Sequence, residues 1–540
     1  MNDPDLPILI QALLEPERYP AGVRQVELVQ THISWVLLAG DFAYKIKKPL
    51  KLAFLDFSTL AQRQQCCADE LRLNRRFAPD LYLDVVGIFN TAQDPHWDGS
   101  GAPIEYAVRM RRFDEAARLD RLCAQGALKP EHVSALADVL HAFHTSAAVA
   151  VAPAGAHFGA PEQILAPALE NFQELARLGA SVAARLAALR AWTEAQFAQL
   201  APLMHARQQS GRVRECHGDL HLGNMVLIGS GVRMFDCIEF NENLRWIDVA
   251  SEIAFTYVDL LAHGQSGLAG WFVNEALSRS GDYEAALLLR FYAVYRALVR
   301  AKVAAIRQQQ TGGEVDDVGE AGNAGDALAY LALAERLLVP PSERLVITHG
   351  LSGCGKTVAS DALLQDDPHA ATLRLRSDVE RKRLFGLAPD ARSGSAMEGG
   401  IYAPDAHGRT YGRLREIAHM LLRAGWSVVV DATFLKRADR AAFQALAMEV
   451  GVRFQILAPQ ATPAQLRERI QTRLASGHDA SEATLEVLVR QTNALEPLTP
   501  EEVLAVLAEI TPKSSQGVAL RWYAVPRWGT HPIPVGASIR

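Results

Sequence analysis

Hydrophobic and polar positions follow two different patterns in the first part of the chain. The stretch "VELVQTHISWVLLAGDFAYKIKK" (26–48) has β-branched and aromatic runs broken by a Gly-Asp turn, which predicts a small antiparallel sheet. From about residue 128, Ala- and Leu-rich stretches such as "LLLRFYAVYRALVRAKVAAI" carry apolar residues at helical spacing. The pattern therefore predicts a mainly β region followed by a mainly α region.

A second change of pattern divides the chain. The stretch "RQQQTGGEVDDVGEAGNAGD" is rich in Gly, Gln and acids and poor in large apolar residues, which is typical of a linker. After it, the order strand, Gly-rich loop, helix, strand, helix predicts a parallel sheet flanked by helices. The predicted segments are a first domain over 1–306, a linker over 307–326, a second domain over 327–512, and a terminal strand and loose tail over 513–540.

Composition limits the classes of function. A chain of 540 residues with 49% hydrophobic and 21% charged residues is expected to form two or three globular domains. The net charge of −6 argues against a stable nucleic-acid partner. The N-terminus carries acids where a secretory signal has a basic region, and no apolar run reaches spanning length, so we expect a cytoplasmic protein without a membrane partner. The oligomeric state is left open.

The cysteines follow neither a disulfide framework nor paired metal spacing, so we expect free thiols. The six cysteines are Cys66, Cys67, Cys123, Cys216, Cys237 and Cys354.

The segment "HGDLHLGN" (217–224) concentrates polar side chains beside an apolar run. Asp219 and Asn224 stand five positions apart, and Asp236 ends another apolar run twelve residues later. Phosphoryl transfer from ATP needs an acid to orient and accept the proton of the attacking hydroxyl, and oxygen ligands to hold Mg²⁺. The spacing matches a kinase catalytic loop, so Asp219 is the candidate base and the other two are candidate Mg²⁺ ligands.

Residues 26 to roughly 305 resemble the aminoglycoside phosphotransferase family of protein-kinase-like enzymes. The resemblance is carried by "HGDLHLGN", "FDCIEF", "WIDVASEIA" and "LADVLHAFH". It implies a bilobal fold in which Asp219 is the catalytic base and Asn224 and Asp236 ligate Mg²⁺. It also implies that Asp248 is a buried structural acid bracing the catalytic loop.

Such an enzyme needs a strand lysine for the α/β-phosphates of ATP and a helical glutamate to pair with it. "AYKIKKP" offers Lys45 and Lys47 on the same face of a strand, and the following helix offers Glu70. We expect Lys45 to pair with Glu70, while Lys47 stays possible because strand alternation cannot separate the two. The kinase Gly-rich loop is absent, and "QTHIS" would occupy its place.

Two histidines on a predicted helix, His141 and His144, stand three positions apart. They could chelate a metal, but the sequence indicates no acid or cysteine partner. We expect them to serve in packing of that helix.

The second site begins with "RLVITHGLSGCGKTVASDALL", an apolar strand, the pattern G-x-x-x-x-G-K-T and a helix. Backbone N–H groups of such a loop bind phosphate oxygens, and glycines allow close approach. We expect Lys356 to reach the β/γ-phosphates as a catalytic group and Thr357 to bind Mg²⁺. The predicted nucleotide-binding loop is Gly350, Leu351, Ser352, Gly353, Cys354, Gly355, Lys356 and Thr357.

Other side chains are expected near this loop. Asp431 ends the strand in "SVVVDATF", where ligands of open α/β sheets gather, and is the candidate metal partner of the loop. Asp378 follows another probable strand. One helix carries Arg467, Arg469 and Arg473, either as a solvated face or as lid arginines that meet the transferred phosphate. Arg473 is our nucleotide-binding candidate among them.

Residues 342–510 resemble small-molecule kinases of the P-loop superfamily, the gluconate-kinase and zeta-toxin-like groups. "GLSGCGKT" is generic, whereas "SGHDAS" with the downstream "LEP" is closer to gluconate kinases. The resemblance implies that Asp378 binds or deprotonates the acceptor hydroxyl. The whole chain is thus similar to bacterial fusions of the two domain types.

The expected fold is α/β and α+β, with an N-terminal bilobal protein-kinase-like domain and a C-terminal P-loop NTPase domain with a parallel sheet. The expected function is a bifunctional phosphotransferase with two nucleotide sites, using ATP and Mg²⁺ to phosphorylate hydroxyls of small molecules. Two alternatives stay open. One domain could only sense nucleotide and regulate its neighbour, or the C-terminal half could be a zeta-toxin-like kinase of activated sugars.

Overall fold

The computed structural model divides into two compact units. The first comprises Met1–Pro341 with Pro368–Ala370, and the second comprises Ser342–Asp367 with Ala371–Arg540. The structure describes residues 6–52, 55–150, 158–310, 327–389, 391, 401, 404–476 and 481–507. Most of the predicted linker (311–326) and the whole predicted tail (513–540) lie outside the described residues, while 307–310 end a helix.

An antiparallel sheet forms the first part of the first unit, as predicted. Its strand order is β1-β2-β3-β8-β6-β7, and Gly40 supplies the positive φ of 59° for the tight turn that joins β2 to β3. "QTHIS" spans the turn between β1 and β2. The strands here are β1 (Val26–Gln30), β2 (Ser34–Ala39), β3 (Phe42–Lys47), β4 (Lys51–Leu52), β5 (Leu55–Asp56), β6 (Tyr82–Asn90), β7 (Pro95–His96) and β8 (Glu105–Arg111).

Helices dominate the rest of this unit. They are α1 (Ile8–Leu13), α2 (Leu60–Asn74), α3 (Leu119–Ala124), α4 (Pro130–Ser146), α5 (Pro161–Leu175), α6 (Ala183–Gln209), α7 (Glu242–Arg245), α8 (Val249–Ala262), α9 (Ser266–Ser280), α10 (Ala285–Gln310) and α11 (Ala327–Leu337). Helix α8 is buried on all sides over Val249–Leu261, so it forms the centre of the helical region. Among the described helices, none combines the length and apolar character needed to cross a bilayer.

Short strands carry the polar loops between these helices. They are β9 (Val213–Glu215), β10 (Met225–Ile228), β11 (Gly231–Met234) and β12 (Trp246–Asp248). Strand β10 pairs with β11 and β12 pairs with β9, both antiparallel. The two pairs hold the ends of the loop that contains "HGDLHLGN".

Helix α11 lies in the first unit, whereas the sequence analysis assigned residues from 327 onward to the second domain. Tyr330, Leu331 and Ala334 are buried, and α11 packs mainly on α10. An apolar helix stripe must be buried, but its pattern does not say which core receives it. The division of the chain therefore follows Pro341.

The second unit contains the predicted parallel sheet. Its strand order is β14-β15-β13-β16, with β13 (Arg344–Thr348), β14 (Thr372–Arg376), β15 (Ser427–Asp431) and β16 (Arg453–Leu457). The helices are α12 (Lys356–Gln365), α13 (Ser377–Leu384), α14 (Pro404–Arg423), α15 (Arg437–Val450), α16 (Pro463–Ser476), α17 (Leu485–Ala494) and α18 (Pro500–Leu504). Because β13 and β15 are parallel neighbours, the loop after β13 lies beside the end of β15.

Candidate functional site

The loop between β9 and β10 brings the first candidate residues together. Asn224 Nδ2 donates to the Asp219 backbone carbonyl at 2.9 Å and to Asp219 Oδ2 at 3.3 Å. His221 Nε2 lies 3.6 Å from the same carboxylate oxygen. The Asp219 side chain is 37% exposed, so it can reach a ligand from the solvent.

Electrostatics keep Asp219 ionised. Removal from water opposes its charge, but the nearby His221 ring and the more distant Arg300 lower the pKa of Asp219 well below its ordinary value. His217 is buried, and burial lowers its pKa. A neutral His217 fits its contacts, because Nε2 donates to the Phe235 carbonyl at 2.8 Å and Nδ1 accepts the Asp219 N–H at 3.3 Å.

Two carboxylates of α8 hold the backbone of this loop. Glu252 Oε1 accepts the N–H groups of His217 and Gly218, the latter at 3.0 Å. Asp259 Oδ2 accepts the Leu222 N–H at 2.7 Å. Neither residue was predicted from the sequence. Their spacing of seven on one helix, starting four residues after the matched Asp248, was the available signal.

His144 has an acid partner, contrary to the sequence expectation. Its Nε2 donates to Glu252 Oε2 at 2.6 Å, and Cys216 Sγ lies in the same cluster. Burial opposes ionisation of Glu252, but the hydrogen bond and charge of His144 lower the pKa of Glu252 to about 2. Helix α4 thus supports the loop through Glu252.

The expected loop-bracing role of Asp248 is not seen in its contacts. Asp248 is buried, as predicted, but its carboxylate accepts from Arg207 Nε at 2.8 Å and Nη2 at 2.9 Å. Its Oδ1 also caps α8 by accepting the Ala250 N–H at 2.8 Å. Arg207 further pairs with Asp282. Asp248 therefore fixes α6 to the start of α8, and Glu252 holds the loop.

Both candidate lysines contact the same glutamate. Lys45 Nζ lies 2.9 Å from Glu70 Oε1, and Lys47 Nζ lies 2.7 Å from Glu70 Oε2. Their second partners differ, because Lys45 pairs with Asp236 and Lys47 pairs with the buried Glu239. Of the two lysines, it is Lys45 that connects Glu70 to a candidate metal ligand.

Asp236 has an unusual backbone conformation. Its φ of 63° lies in the left-handed region, which non-glycine residues adopt rarely and often at functional sites. Its N–H donates to the Tyr82 hydroxyl at 3.0 Å, and its side chain is 40% exposed. Its carboxylate pairs with Lys45. Carboxylate and amide oxygens of Asp236 and Asn224 form a donor set that suits Mg²⁺.

The second candidate site is the loop after β13. Gly350, Gly353 and Gly355 have φ values of 136°, 85° and 102°, which L-residues rarely adopt. Lys356 Nζ donates to the carbonyls of Gly350 at 3.0 Å and Leu351 at 2.8 Å. Helix α12 begins at Lys356. The loop therefore has the strand, glycine and helix context that the motif requires.

The loop and the end of β15 meet as predicted. Thr357 Oγ1 donates to Asp431 Oδ2 at 2.9 Å, although 74 positions separate the two residues. Arg376, at the end of β14, has its Nε 3.8 Å from the same Asp431 oxygen. Hydroxyl and carboxylate oxygens side by side are ligands suited to Mg²⁺.

Cys354 occupies space inside this loop. It is buried, and its Sγ lies 3.8 Å from Lys356 Nζ. A Cβ added at Gly350 would lie 2.8 Å from that sulfur, so the sulfur occupies the space that a side chain at position 350 would need. All six cysteines are free, as predicted.

A cavity of about 620 Å³ opens on the loop, within the usual size range of small-molecule sites. The predicted residues lining it are Ser352, Gly353, Gly355, Lys356, Thr357, Asp378, Asp431, Arg469 and Arg473. Lining residues that were not predicted from the sequence include Arg376, His407, Tyr411 and Arg490. They come from separate elements, and no local motif marks them.

Two helices cover the loop from one side. Gln491 Oε1 of α17 accepts the Ser352 N–H at 2.8 Å, and Arg469 Nη1 of α16 donates to the Gly353 carbonyl at 3.2 Å. Arg473 lines the cavity and donates to the Ala483 carbonyl at 3.2 Å, whereas Arg467 is exposed. Helix α16 therefore carries both a solvated face and a face that lines the cavity.

Comparison with known proteins gives matches over both units. Residues 345–498 match the family described as "AAA domain". An uncharacterized protein of Mycobacterium tuberculosis (strain ATCC 25618 / H37Rv) is 28% identical over 461 residues, covering 84% of this chain and 88% of the relative. A choline/ethanolamine kinase family protein from Mesorhizobium loti aligns at 13% identity and a TM-score of 0.37, over 62% of this chain and 96% of its own. The APS kinase of Mycobacterium tuberculosis aligns at 21% identity and a TM-score of 0.21, over 27% and 78%.

The topology shows the fold of each unit. The first unit has the predicted protein-kinase-like fold, with an antiparallel sheet followed by helices. The second has the predicted P-loop fold with a parallel sheet. The chain therefore combines the two predicted folds, and residues 345–498 of the second unit match the AAA domain family.

Proposed function

We propose that the chain is a bifunctional enzyme that transfers the γ-phosphate of ATP to hydroxyls of small molecules at two separate sites. The observation that carries the proposal is the position of Lys45, which pairs with both Glu70 and Asp236. A lysine held by a helical glutamate and next to a candidate metal ligand is the arrangement that positions ATP phosphates in kinases. The Thr357–Asp431 contact supports the corresponding proposal for the second unit.

In the first unit, Asp219 is the proposed base. Its lowered pKa keeps the carboxylate ionised at neutral pH, so it can accept a hydrogen bond from the acceptor hydroxyl. As the new bond between acceptor oxygen and γ-phosphorus forms, the bond to the leaving ADP oxygen breaks and the hydroxyl proton passes to Asp219. Asn224 holds this carboxylate in place through its amide.

Lys45 is the proposed phosphate-binding lysine. Of the two lysines, Lys45 pairs with the exposed Asp236, whereas Lys47 pairs with the buried Glu239. Burial opposes the charge of Lys45, but the carboxylates of Asp236 and Glu70 raise the pKa of Lys45 well above its ordinary value. It is therefore charged at any pH at which the enzyme works.

Magnesium fits the oxygen donors at both sites. Asn224 and Asp236 would hold it in the first unit, and Thr357 and Asp431 in the second. When bound, the ion neutralises phosphate charge and orients the transferred group.

In the second unit, the loop amides and Lys356 are proposed to bind the phosphates. Lys356 donates to two carbonyls of its own loop, so its ammonium is held against that loop. Arg469 and Arg473 line the same cavity and would meet the transferred phosphate. Asp378 also lines it, paired with Arg381 at 3.1 Å, and would contact the acceptor hydroxyl.

The test is a screen for ADP release with sugars, sugar acids, aminoglycosides and nucleotide sugars. We expect acceptors of the first unit to lose turnover in Asp219→Asn and keep it in Lys356→Ala, and acceptors of the second unit to show the reverse. Asp80→Asn and Lys51→Ala change exposed residues and serve as matched controls. Binding of Mg·ATP without acceptor-dependent ADP release from the first unit would favour a nucleotide sensor. Turnover only with nucleotide sugars would favour the zeta-toxin-like alternative.

A further inference from the structure

We propose that Tyr330 is a positioning residue for the "HGDLHLGN" loop, so that α11 completes the first site from beyond the predicted linker. The inference rests on the proposed phosphotransfer by the first unit. Among the described residues, the hydrogen bonds of the Tyr330 hydroxyl are with Asp259 and Arg300 and not with Asp219. It acts on the loop through a carboxylate that binds the loop backbone.

Three buried side chains, those of Tyr330, Arg300 and Asp259, connect α11 to the loop. The Tyr330 hydroxyl donates to Asp259 Oδ1 at 3.3 Å, and Arg300 Nε donates to the Tyr330 oxygen at 3.2 Å. The other oxygen of Asp259 accepts the Leu222 N–H at 2.7 Å. One hydroxyl of α11 therefore orients the carboxylate that holds the middle of the loop.

Burial makes the loss of any of these hydrogen bonds energetically costly. Tyr330 and Asp259 are 1% exposed and Arg300 is 4% exposed, so water cannot replace a lost partner easily. Burial raises the pKa of Tyr330 to about 12, so its hydroxyl keeps the proton that it donates. The charge of Arg300 lowers the pKa of both Asp259 and Asp219. A displacement of the Arg300 guanidinium would therefore also change the electrostatic environment of Asp219, the proposed base.

Helix α11 is fixed in place independently of this hydroxyl. Leu331 and Ala334 are fully buried, and Glu335 accepts from Arg185 Nε at 2.7 Å and Nη2 at 2.9 Å. Removing the hydroxyl should therefore leave the helix docked. A change from tyrosine to phenylalanine tests the hydrogen bonds without removing the ring from the core.

The experiment compares Tyr330→Phe with Tyr292→Phe in the full chain carrying Lys356→Ala. Tyr292 is an equally buried tyrosine of α10 whose hydroxyl has no hydrogen-bond partner among the described residues. We expect kcat with a first-unit acceptor to fall by about 3- to 10-fold in Tyr330→Phe, from a loss of about 1 kcal/mol of loop-orienting interaction. We expect KM for ATP to change little. Tyr292→Phe should stay within about twofold of its parent.

Hydrogen exchange at the Leu222 amide gives a readout that does not depend on activity. We expect faster exchange of this amide in Tyr330→Phe and no change in Tyr292→Phe. Equal exchange rates in the two variants would overturn the inference, whatever the activity. If Asp219→Asn does not lower ADP release in the same background, the proposed function fails, while a selective change at Leu222 would still support the placement of Tyr330.

Discussion

The two candidate sites are assembled in different ways. In the second unit, residues 350–357 supply most of the proposed phosphate-binding groups as one continuous loop, and one distant acid, Asp431, contacts Thr357 of this loop. In the first unit, the corresponding groups come from β3, α2, α8 and the loops around β10 and β11, and buried ion pairs hold them. Backbone amides need no partner from elsewhere, whereas buried charges do. The first site should therefore be more sensitive to changes far from it.

The largest expected effect is removal of α11. A fragment over 1–326 lacks the buried Tyr330 and Leu331, each worth about 1.5–3 kcal/mol, whereas a fragment over 1–341 keeps both. Since domains are stable by only about 5–15 kcal/mol, we expect the shorter fragment to unfold or aggregate and the longer one to fold. Circular dichroism and thermal unfolding measure this.

The matched fragment over 342–540 should bind Mg·ATP as the full chain does, because its loop is complete. Equal stability of the two N-terminal fragments would mean that α11 contributes nothing to the first core. Loss of binding in the C-terminal fragment would mean that the second site also depends on the first unit.

Asp219→Asn should lower turnover of a first-unit acceptor by about 10²- to 10⁴-fold, because an amide cannot accept the proton. Binding of ATP should change little. The assay uses a Lys356→Ala background so that the second site cannot hide the loss. Turnover equal to that of Asp80→Asn would contradict the assignment of the base.

Lys45→Met and Lys47→Met should affect different properties, ATP binding in the first case and the free energy of unfolding in the second. Lys47→Met leaves Glu239 buried without its cation, which should cost about 3–5 kcal/mol of unfolding free energy. Lys45→Met leaves the exposed Asp236 able to reach water, so it should mainly weaken ATP binding, by about 10- to 100-fold. Denaturant unfolding and nucleotide titration measure the two effects. If Lys47→Met mainly weakened ATP binding and Lys45→Met mainly lowered stability, Lys47 would be the phosphate-binding lysine.

Glu252 should make the first site sensitive to acid. Its pKa falls from the ordinary 4.5 to about 2 in the folded protein, which corresponds to about 3 kcal/mol. A lowered carboxyl pKa stabilises the fold above the unfolded pKa, so this contribution is complete above about pH 4.5 and is lost as pH falls toward 2. We expect the difference in unfolding free energy between wild type and Glu252→Gln to shrink below pH 4.5.

The control for Glu252→Gln is Glu131→Gln, which changes an exposed residue on the helix that carries His144. Its stability should follow the wild-type pH dependence. A pH-independent difference for Glu252→Gln would show that the His144 pair does not depend on the charge of Glu252.

The smallest expected effect is a coupling in the second site. Thr357→Ala and Asp431→Asn both remove groups of one hydrogen-bonded pair, so the double variant should lose less than the sum of the single losses, by about 0.5–3 kcal/mol. Turnover of a second-unit acceptor in an Asp219→Asn background, titrated with Mg²⁺, measures this. Strict additivity would place the second metal ligand elsewhere, with Asp378 the first candidate.

Sequence alone was sufficient where the local geometry depends on neighbouring residues. The loop over 350–357 was predicted because strand, glycines, lysine and helix follow one another directly, and their geometry is set locally. The spacing of Asp219, Asn224 and Asp236 indicated a kinase-type loop for the same reason. The β-branched and aromatic runs of 26–48 predicted the antiparallel sheet correctly, and the order of strands, Gly-rich loop and helices after the linker predicted the parallel sheet correctly.

Tertiary structure decided the pairings between distant residues. Strand alternation placed Lys45 and Lys47 on one face, and the positions of Asp236 and Glu239 distinguished them. Glu252, not the matched Asp248, holds the loop, because only packing of α8 brings that carboxylate to the amides of His217 and Gly218. The unit that receives α11 was likewise undetermined by its apolar stripe. A buried charge needs an opposite charge or a hydrogen-bond partner, and an apolar helix face needs a core to pack against. The sequence pattern shows that such a partner is needed, and only the packed fold determines which residue or which core it is.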